Sequence, residues 1–214
     1  MHTTIESLRK DYKMAQLDEM HTAENPFIQF EHWMEEAIKA NIAEPHAMTL
    51  ATVNATGQPS MRIVLLRKME NEAFSFFTNY KSRKGREIGV NSHAALNFFW
   101  PELERQIRIE GQIRKLSREA SEAYFKSRPR GNQIGAWVSP QSERIPGREF
   151  IEMREKEFIA RFEGDEVPCP AYWGGYELVA QYVEFWQGRE SRLHDRIVYE
   201  KGDDQLWKRM RLAP

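Results

Sequence analysis

The stretch RQIRIEGQIRKL, residues 105–116, sets the tightest limit on what this chain can fold into. Gln106, Ile107, Arg108, Ile109 and Glu110 alternate polar and apolar with a period of two. That is the pattern of a strand with one buried and one polar face. Shorter runs of strand character surround it. AMTLATV, SMRIVLLR and AFSFFTN come before, separated by the turn-forming NATGQP and MENE, and HAALNFFW reads as the next strand. YELVAQYVEFWQG, RIVYEK and QLWKRMRL close the chain in the same style. The sequence predicts six or seven antiparallel strands in a barrel-like sheet, an α+β fold.

Helices interrupt the strands. Asn25 and Pro26 supply a cap and a first helical residue, and Phe27, Phe30, Trp33, Met34, Ala37 and Ile38 follow at helical spacing until Pro45. Ser82 is expected to cap a helix through Val90, and Ser117 one carrying Tyr124 and Phe125. A further helix is expected over roughly 147–162, using Phe150, Met153, Phe158 and Phe162. Residues 1–24 are polar and read as a flexible segment, leaving 25–214 as a single domain without repeats or linkers.

Composition excludes several classes of function. With 31 basic and 32 acidic residues the net charge is −1, which argues against a general grip on nucleic acid or membrane. The one cysteine, Cys169, lies between two prolines and reads as an inert turn residue of a reducing, cytoplasmic protein. The first twenty residues lack the apolar core of a signal peptide, and no window reaches membrane-spanning length. There is no glycine-rich dinucleotide fingerprint, phosphate loop or nucleophile elbow, and the six histidines show no metal-ligand spacing.

What remains is a series of arginine-rich clusters. RIVLLR brackets four apolar residues with Arg62 and Arg67, which suits either a buried strand with solvated ends or an anion contact. FFTNYKSRKGRE puts Thr78, Ser82, Arg83 and Lys84 at a strand-to-helix junction, where free N–H groups and cations favour phosphate as readily as solvent. YFKSRPRGNQIGAW places Tyr124 and Arg128 four apart, on one face of the predicted helix. WQGRESRLHDR crowds Trp186, Arg189, Arg192, His194 and Arg196 together. Gln106, Gln141, Ser142 and Trp186 add neutral hydrogen bonds and an aromatic wall, which suit a planar heterocycle. Two phosphate-like clusters point to two small phosphorylated ligands.

RIVLLR, FFTNYKSRKGRE, RQIRIEG, YFKSRPRGNQIGAW, PQS, VPCPAYWGGY, VEFWQGRESRLHDR and the terminal RLAP fall in one order. In that order they resemble the pyridoxine (pyridoxamine) 5′-phosphate oxidases, from about residue 25 to the last. The resemblance implies a homodimeric, FMN-binding split β-barrel with peripheral helices. It implies oxidation of pyridoxamine or pyridoxine 5′-phosphate to pyridoxal 5′-phosphate in vitamin B6 metabolism, with O2 reduced to hydrogen peroxide.

Carried over residue by residue, the resemblance gives Arg62, Ile63, Val64, Leu65, Leu66, Arg67, Phe77, Thr78, Arg83 and Lys84 as one subunit's flavin contacts. The arginines and Lys84 would meet the FMN phosphate. Gln106, Gln141, Ser142, Trp186 and Arg196 would complete the flavin site, several of them from the second subunit. Arg67, Tyr124, Arg128 and Asn132 would hold the substrate phosphate, and Arg192, Leu193 and His194 its pyridine ring. Arg192 and His194 are the catalytic candidates. Arg9 and Tyr12 match an Arg-x-x-Tyr segment that folds over the substrate, whereas Arg189 has no implied role.

Two positions depart from the family pattern, which has lysine at 67 and serine at 132. Arg67 keeps the charge on a bulkier planar head, and Asn132 keeps a donor on a larger side chain. Three other readings stand beside the oxidase: another split-barrel flavin oxidoreductase, a non-catalytic carrier of FMN or pyridoxal phosphate, and a nucleic-acid binder disfavoured by the charge balance.

Overall fold

Nine strands and five α-helices make up the described chain, residues 11–214 of a computed structural model. Chain order is α1 (Pro26–Lys39), β1 (Ala47–Val53), β2 (Pro59–Leu65), β3 (Lys68–Glu70), β4 (Ala73–Asn79), α2 (Arg83–Val90), β5 (His93–Trp100) and β6 (Arg105–Lys115). Then come α3 (Arg118–Ser127), α4 (Arg130–Val138), α5 (Arg148–Arg161), β7 (Trp173–Gln187), β8 (Asp195–Lys201) and β9 (Trp207–Leu212). The strands hydrogen-bond in the order β2-β1-β5-β6-β7-β4-β3, and β8 pairs with both β7 and β9. The β3–β4, β4–β7, β7–β8 and β8–β9 ladders are antiparallel. None of the described helices is long and apolar enough to cross a membrane.

The chain divides into two units. Among the described residues the first holds 11–49, 95–110 and 180–214. Its core forms where α1 lays Phe30 and Trp33 edge-on against Phe98 and Phe185, at centroid distances of 5.2 and 5.1 Å. Ile107 and Ile109 are fully buried, so the alternation in β6 does mark one inward face. Residues 11–24 are tied to this unit: Leu17 N–H donates to Asp195, Tyr199 Oη to Ala23 O, and Arg209 to Thr22 O. The second unit holds residues 50–94 and 111–179. Its core gathers Phe125, Ile134, Val138, Phe158, Phe162, Val167 and Trp173 from α3, α4, α5 and the start of β7.

Most predicted elements stand where expected, and the exceptions have local causes. Helix α1 stops at Lys39, short of Pro45, because Asn41 enters the left-handed region (φ 55°). Asn41 N–H then bonds Ile38 O at 3.0 Å and Ile42 N–H bonds Ala37 O at 3.1 Å, the paired bonds of a Schellman end. Ile38 therefore ends 58% exposed, outside the core. The supposed MENE turn contains β3, and only Asn71 and Glu72 turn, both at positive φ, as a two-residue hairpin demands. Helix α5 buries Phe158 and leaves Met153 exposed.

The run YFKSRPRGNQIGAW is two helices. Arg128 sits off the end of α3 with extended backbone (φ −75°, ψ 147°), because Pro129 disfavours helical geometry in the residue before it. Tyr124 and Arg128 thus do not share a helix face. Asn132 lies in the first turn of α4, which the sequence reading missed.

Candidate active site

In the second unit, β2 carries Arg62 to Leu65 and β4 carries Phe77 and Thr78. A short turn then leads into α2, where Ser82 Oγ accepts the Gly85 N–H at 3.3 Å as the cap. A side chain at Gly85 would place its Cβ 2.2 Å from the Tyr80 carbonyl oxygen, so only glycine lets the helix begin this close to β4. Arg83 and Lys84 are the first two helical residues, and Lys84 is held against Thr78 as a result. Lys84 Nζ donates to Thr78 Oγ1 at 3.1 Å and to Gln141 Oε1 at 3.0 Å. Its partners are neutral, and no carboxylate among the described residues pairs with it. Burial, with the charge of Arg62 adding to it, pushes the Lys84 ammonium down to about 8. A half-buried cation without an acid is suited to pair with an anion.

One turn further along α2 lies Glu87, with a side chain only 6% exposed. It accepts from Thr52 Oγ1 at 2.5 Å, Ser60 Oγ at 2.6 Å, Arg83 Nε at 2.8 Å and Arg62 Nη2 at 3.2 Å. Burial alone would raise its carboxyl, but the bonds from Ser60, Thr52 and Arg83 outweigh burial and hold it at about 2. Arg62 also donates to Leu50 O at 3.0 Å and to Thr52 and Ser60, so both of its terminal nitrogens already have protein partners.

Facing this corner is an aromatic stack. Phe77 lies 3.8 Å from Tyr124 at 16° and 5.5 Å from Trp173 at 15°. The Arg128 guanidinium rests 4.6 Å above the Trp173 ring, and its Nη1 is buried without a hydrogen-bond partner. A cavity of about 290 Å³ joins these groups, lined by Ile63, Val64, Leu65, Arg67, Phe77, Thr78, Lys84, Tyr124, Arg128, Gln141 and Trp173. A second, of about 210 Å³, shares Arg128, Gln141 and Trp173 and adds Asn79, Asn132 and the glycines of α4. Ser142, beside Gln141, is exposed and left-handed (φ 72°).

In the first unit, Trp186 at the end of β7 pairs in register with Arg196 on β8. Arg196 grips the buried Glu184 through Nε at 2.9 Å and Nη2 at 3.0 Å, and reaches Ala213 O with Nη1 at 2.8 Å. Tyr182 Oη donates to the same carboxylate at 2.9 Å, and burial with that bond raises Tyr182 to about 12. The connecting loop is strained, since Ser191 and Arg192 are both left-handed (φ 57° and 62°). His194 leans on Trp186, 4.6 Å between centroids, and Tyr12 meets both rings edge-on at 5.7 and 5.8 Å. Leu193 stands 68% exposed, and Arg192 is exposed beside it.

Comparison with known proteins decides the family. The family profile described as pyridoxamine 5′-phosphate oxidase matches residues 34–161, and that of the pyridoxine 5′-phosphate oxidase C-terminal dimerisation region matches 173–214. The pyridoxine/pyridoxamine 5′-phosphate oxidase of Cupriavidus pinatubonensis is 52% identical over 99% of this chain and all of its own. That of a Nostoc species is 51% identical over the full length of both. This chain belongs to the pyridoxine/pyridoxamine 5′-phosphate oxidase family. Among solved structures, PhzG from Burkholderia lata, in complex with tetrahydrophenazine-1-carboxylic acid, superposes with a TM-score of 0.88 at 28% identity, covering 96% of this chain and all of that one. A pyridoxamine 5′-phosphate oxidase-related, FMN-binding protein from Nostoc punctiforme shares the fold at a TM-score of 0.71 and 17% identity, covering 89% and 98% of the two chains.

The fold is therefore the split barrel that the motifs implied, and the protein is an oxidoreductase of the pyridoxine/pyridoxamine 5′-phosphate oxidase family. Its C-terminal strands coincide with the family's dimerisation region. Ile63, Val64, Leu65, Arg67, Phe77, Thr78, Lys84, Gln141, Tyr124 and Arg128 line one cavity, and Asn132 the neighbouring one. Leu66 lies beyond the end of β2, half-buried. Gln106, Trp186, Arg192, Leu193, His194 and Arg196 belong to the first unit, with Gln106 half-buried on β6 opposite the core face. Arg9 lies outside the described residues. The sequence reading missed the acids that brace these cations, Glu87 and Glu184. Glu184 did leave a signal: a carboxylate inside the apolar run YVEFW asks for a buried partner.

Proposed function

We propose that this chain is an FMN-dependent oxidase of pyridoxamine 5′-phosphate and pyridoxine 5′-phosphate, forming pyridoxal 5′-phosphate. O2 takes the electron pair and leaves as hydrogen peroxide; the amine substrate also consumes water and releases ammonia. The observation that carries this is a pair of cations on one cavity, Lys84 without an acid and Arg128 with an orphaned Nη1. Two such anchors suit two phosphates, one from a flavin nucleotide and one from a B6 vitamer. About 50% identity to full-length relatives carrying that activity in their names supports the same choice.

The residues fit FMN. Lys84 and the α2 N-terminus would hold the phosphate with Arg83, while Arg62 supports that corner through Glu87. The backbone of Ile63 to Leu65, Thr78 and Gln141 would border the flavin ring. When bound, FMN supplies the two-electron acceptor for the substrate's C4′ carbon. The chain's own work is orientation. Arg128, Tyr124, Arg67 and Asn132 would fix the substrate phosphate, and Arg192, Leu193 and His194 its pyridine ring, converting an encounter into an oriented reaction. Gln106, Ser142, Trp186 and Arg196 complete the flavin site in this reading, and Arg9 and Tyr12 close over the substrate. The protein acts as a homodimer in which the second copy contributes to each site, and it works in the cytoplasm.

The test is direct. Purified protein should be yellow, and should release peroxide and pyridoxal 5′-phosphate when given pyridoxamine 5′-phosphate. A yellow protein that turns over tetrahydrophenazine-1-carboxylic acid but no B6 phosphate would be a different flavin oxidase. One that binds pyridoxal 5′-phosphate without peroxide release would be a carrier.

A further inference from the structure

We infer that Arg189 is a positioning residue whose backbone N–H fixes His194 as the neutral imidazole protonated on Nε2. His194 then meets a ligand as a hydrogen-bond donor and does not serve as a base. The geometry that carries this is one bond: Arg189 N–H donates to His194 Nδ1 at 3.0 Å. An imidazole nitrogen accepts only through its lone pair. The Nδ1–H tautomer, or the imidazolium, would set two hydrogens against each other at that distance. In neutral imidazole one nitrogen accepts and the other carries the proton, so Nε2 is left as N–H.

The loop is built to keep Arg189 in place. Its backbone is extended (φ −137°, ψ 159°), and Leu193 N–H closes the turn onto Glu190 O at 3.1 Å. Its side chain donates through Nη1 to Asp195 Oδ2 at 3.1 Å. Asp195 also accepts from Leu17 N–H at 3.1 Å and from Arg211 Nη1 at 2.8 Å. Asp195 therefore anchors Arg189, and no hydrogen bond joins it to the neighbouring imidazole among the described residues. The arginine that the family motif left without a role is the link between that anchor and His194.

The surroundings favour the neutral ring. Trp186 and Tyr12 flank it with aromatic surface. The charged groups that face it are Arg192, which opposes a second positive charge, and Asp195, which favours one. Burial and then Arg192 prevail, so the ring titrates below its ordinary value. No hydrogen bond among the described residues uses Nε2. Among the described residues that N–H is unpaired and open to a ligand acceptor. On the function proposed above, the acceptor is a lone pair of the substrate, on the ring's phenolic oxygen or on its C4′ hydroxyl or amine. Only this last identification rests on that reading; the tautomer does not.

The experiment is nitrogen NMR on the full-length protein labelled with 15N-histidine, with and without FMN. The His194 resonances are assigned by their loss in His194→Gln. The expected spectrum shows a protonated, pyrrole-type Nε2 and an unprotonated, pyridine-type Nδ1, still predominant at pH 6.5, where an ordinary histidine is half protonated. An Nδ1–H tautomer, or an imidazolium at neutral pH, would overturn the inference. Arg189→Ala keeps the N–H but cuts the tie to Asp195. It should give mixed tautomers and raise KM for pyridoxamine 5′-phosphate several-fold with little change in kcat. Arg189→Lys should restore part of both. A single unshifted tautomer in Arg189→Ala would remove the side chain from the argument. Since the spectra need neither flavin nor substrate, a chain that made no peroxide would overturn the proposed function and leave this test standing.

Discussion

Glu87 takes the Nε–H of Arg83 at 2.8 Å, one helical turn away, while its other oxygen meets Arg62. The carboxylate is almost fully buried, so it is a brace between two arginines and not a solvated surface pair. Removing the acid leaves Arg62, only 19% exposed, without its counter-charge, at a cost of roughly 3 kcal/mol, whereas Arg83, 57% exposed, can turn to water. Glu87→Gln should therefore unfold at lower temperature and lower denaturant at neutral pH, and should bind FMN more weakly.

The same carboxylate sets an acid limit. Its folded-state value is depressed from 4.5 to about 2, so its stabilisation is complete above the unfolded value and is lost as pH falls through the folded one. The stability gap between wild type and Glu87→Gln should be constant near neutrality and should shrink between those two values. Denaturant melts at stepped pH measure it. A gap that stayed constant into strong acid would mean that Glu87 is not the titrating group.

Lys84 makes the opposite prediction at the basic end. Its ammonium is pushed down to about 8 by burial and by Arg62, so a phosphate held there would stabilise the charged form that burial disfavours. FMN affinity, followed by quenching of flavin fluorescence, should hold steady below that value and weaken as pH rises through it. Lys84→Ala should bind FMN roughly ten- to a hundredfold more weakly, the loss of a charge-assisted hydrogen bond, and should flatten the pH profile. Equal flavin retention by the variant would remove Lys84 from the phosphate site.

Much of this arrangement was legible in the sequence. The strand alternation, the Asn25 and Ser82 caps and the strand-to-helix junction at Thr78 to Lys84 all follow from local rules of spacing and capping. Local rules also explain two of the misreadings: Pro129 signals the break after α3, and Asn41 is a natural left-handed terminator for α1. The braces were harder to see. Glu87 sits in a polar helical run and looks solvated until Thr52, Ser60 and Arg62 arrive from strands far away in sequence. The tautomer of His194 likewise depends on a backbone group, which no residue pattern displays.

Arg67 and Asn132, the two departures from the family pattern, line adjoining cavities and are both exposed. Neither enters the Glu87 or Lys84 networks. The double variant Arg67→Lys with Asn132→Ser should thus change KM for pyridoxine 5′-phosphate while leaving FMN affinity nearly unaltered. Steady-state kinetics beside a flavin titration separates the two. Wild-type KM with altered flavin binding would place both residues on the other ligand.

Arg192 is held in an unusual way, and that gives the sharpest prediction. It and Ser191 are consecutive left-handed residues, a conformation that costs an ordinary residue roughly 1–2 kcal/mol. Strain of this size persists where the surrounding structure enforces it, and here Arg189, Leu193 and Asp195 hold the loop on both sides. Ser191→Gly relieves the strain and should stabilise the fold by about 0.5–1 kcal/mol, while the freer loop lowers kcat/KM several-fold. Arg192→Ala removes the guanidinium itself. It should leave a folded, yellow protein whose kcat/KM falls at least about a hundredfold, or roughly 2.7 kcal/mol of transition-state stabilisation. Peroxide release from fully flavinated samples reads both effects. Near-normal turnover in Arg192→Ala would make it a surface group, and faster turnover in Ser191→Gly would mean that the strain serves no purpose in the reaction.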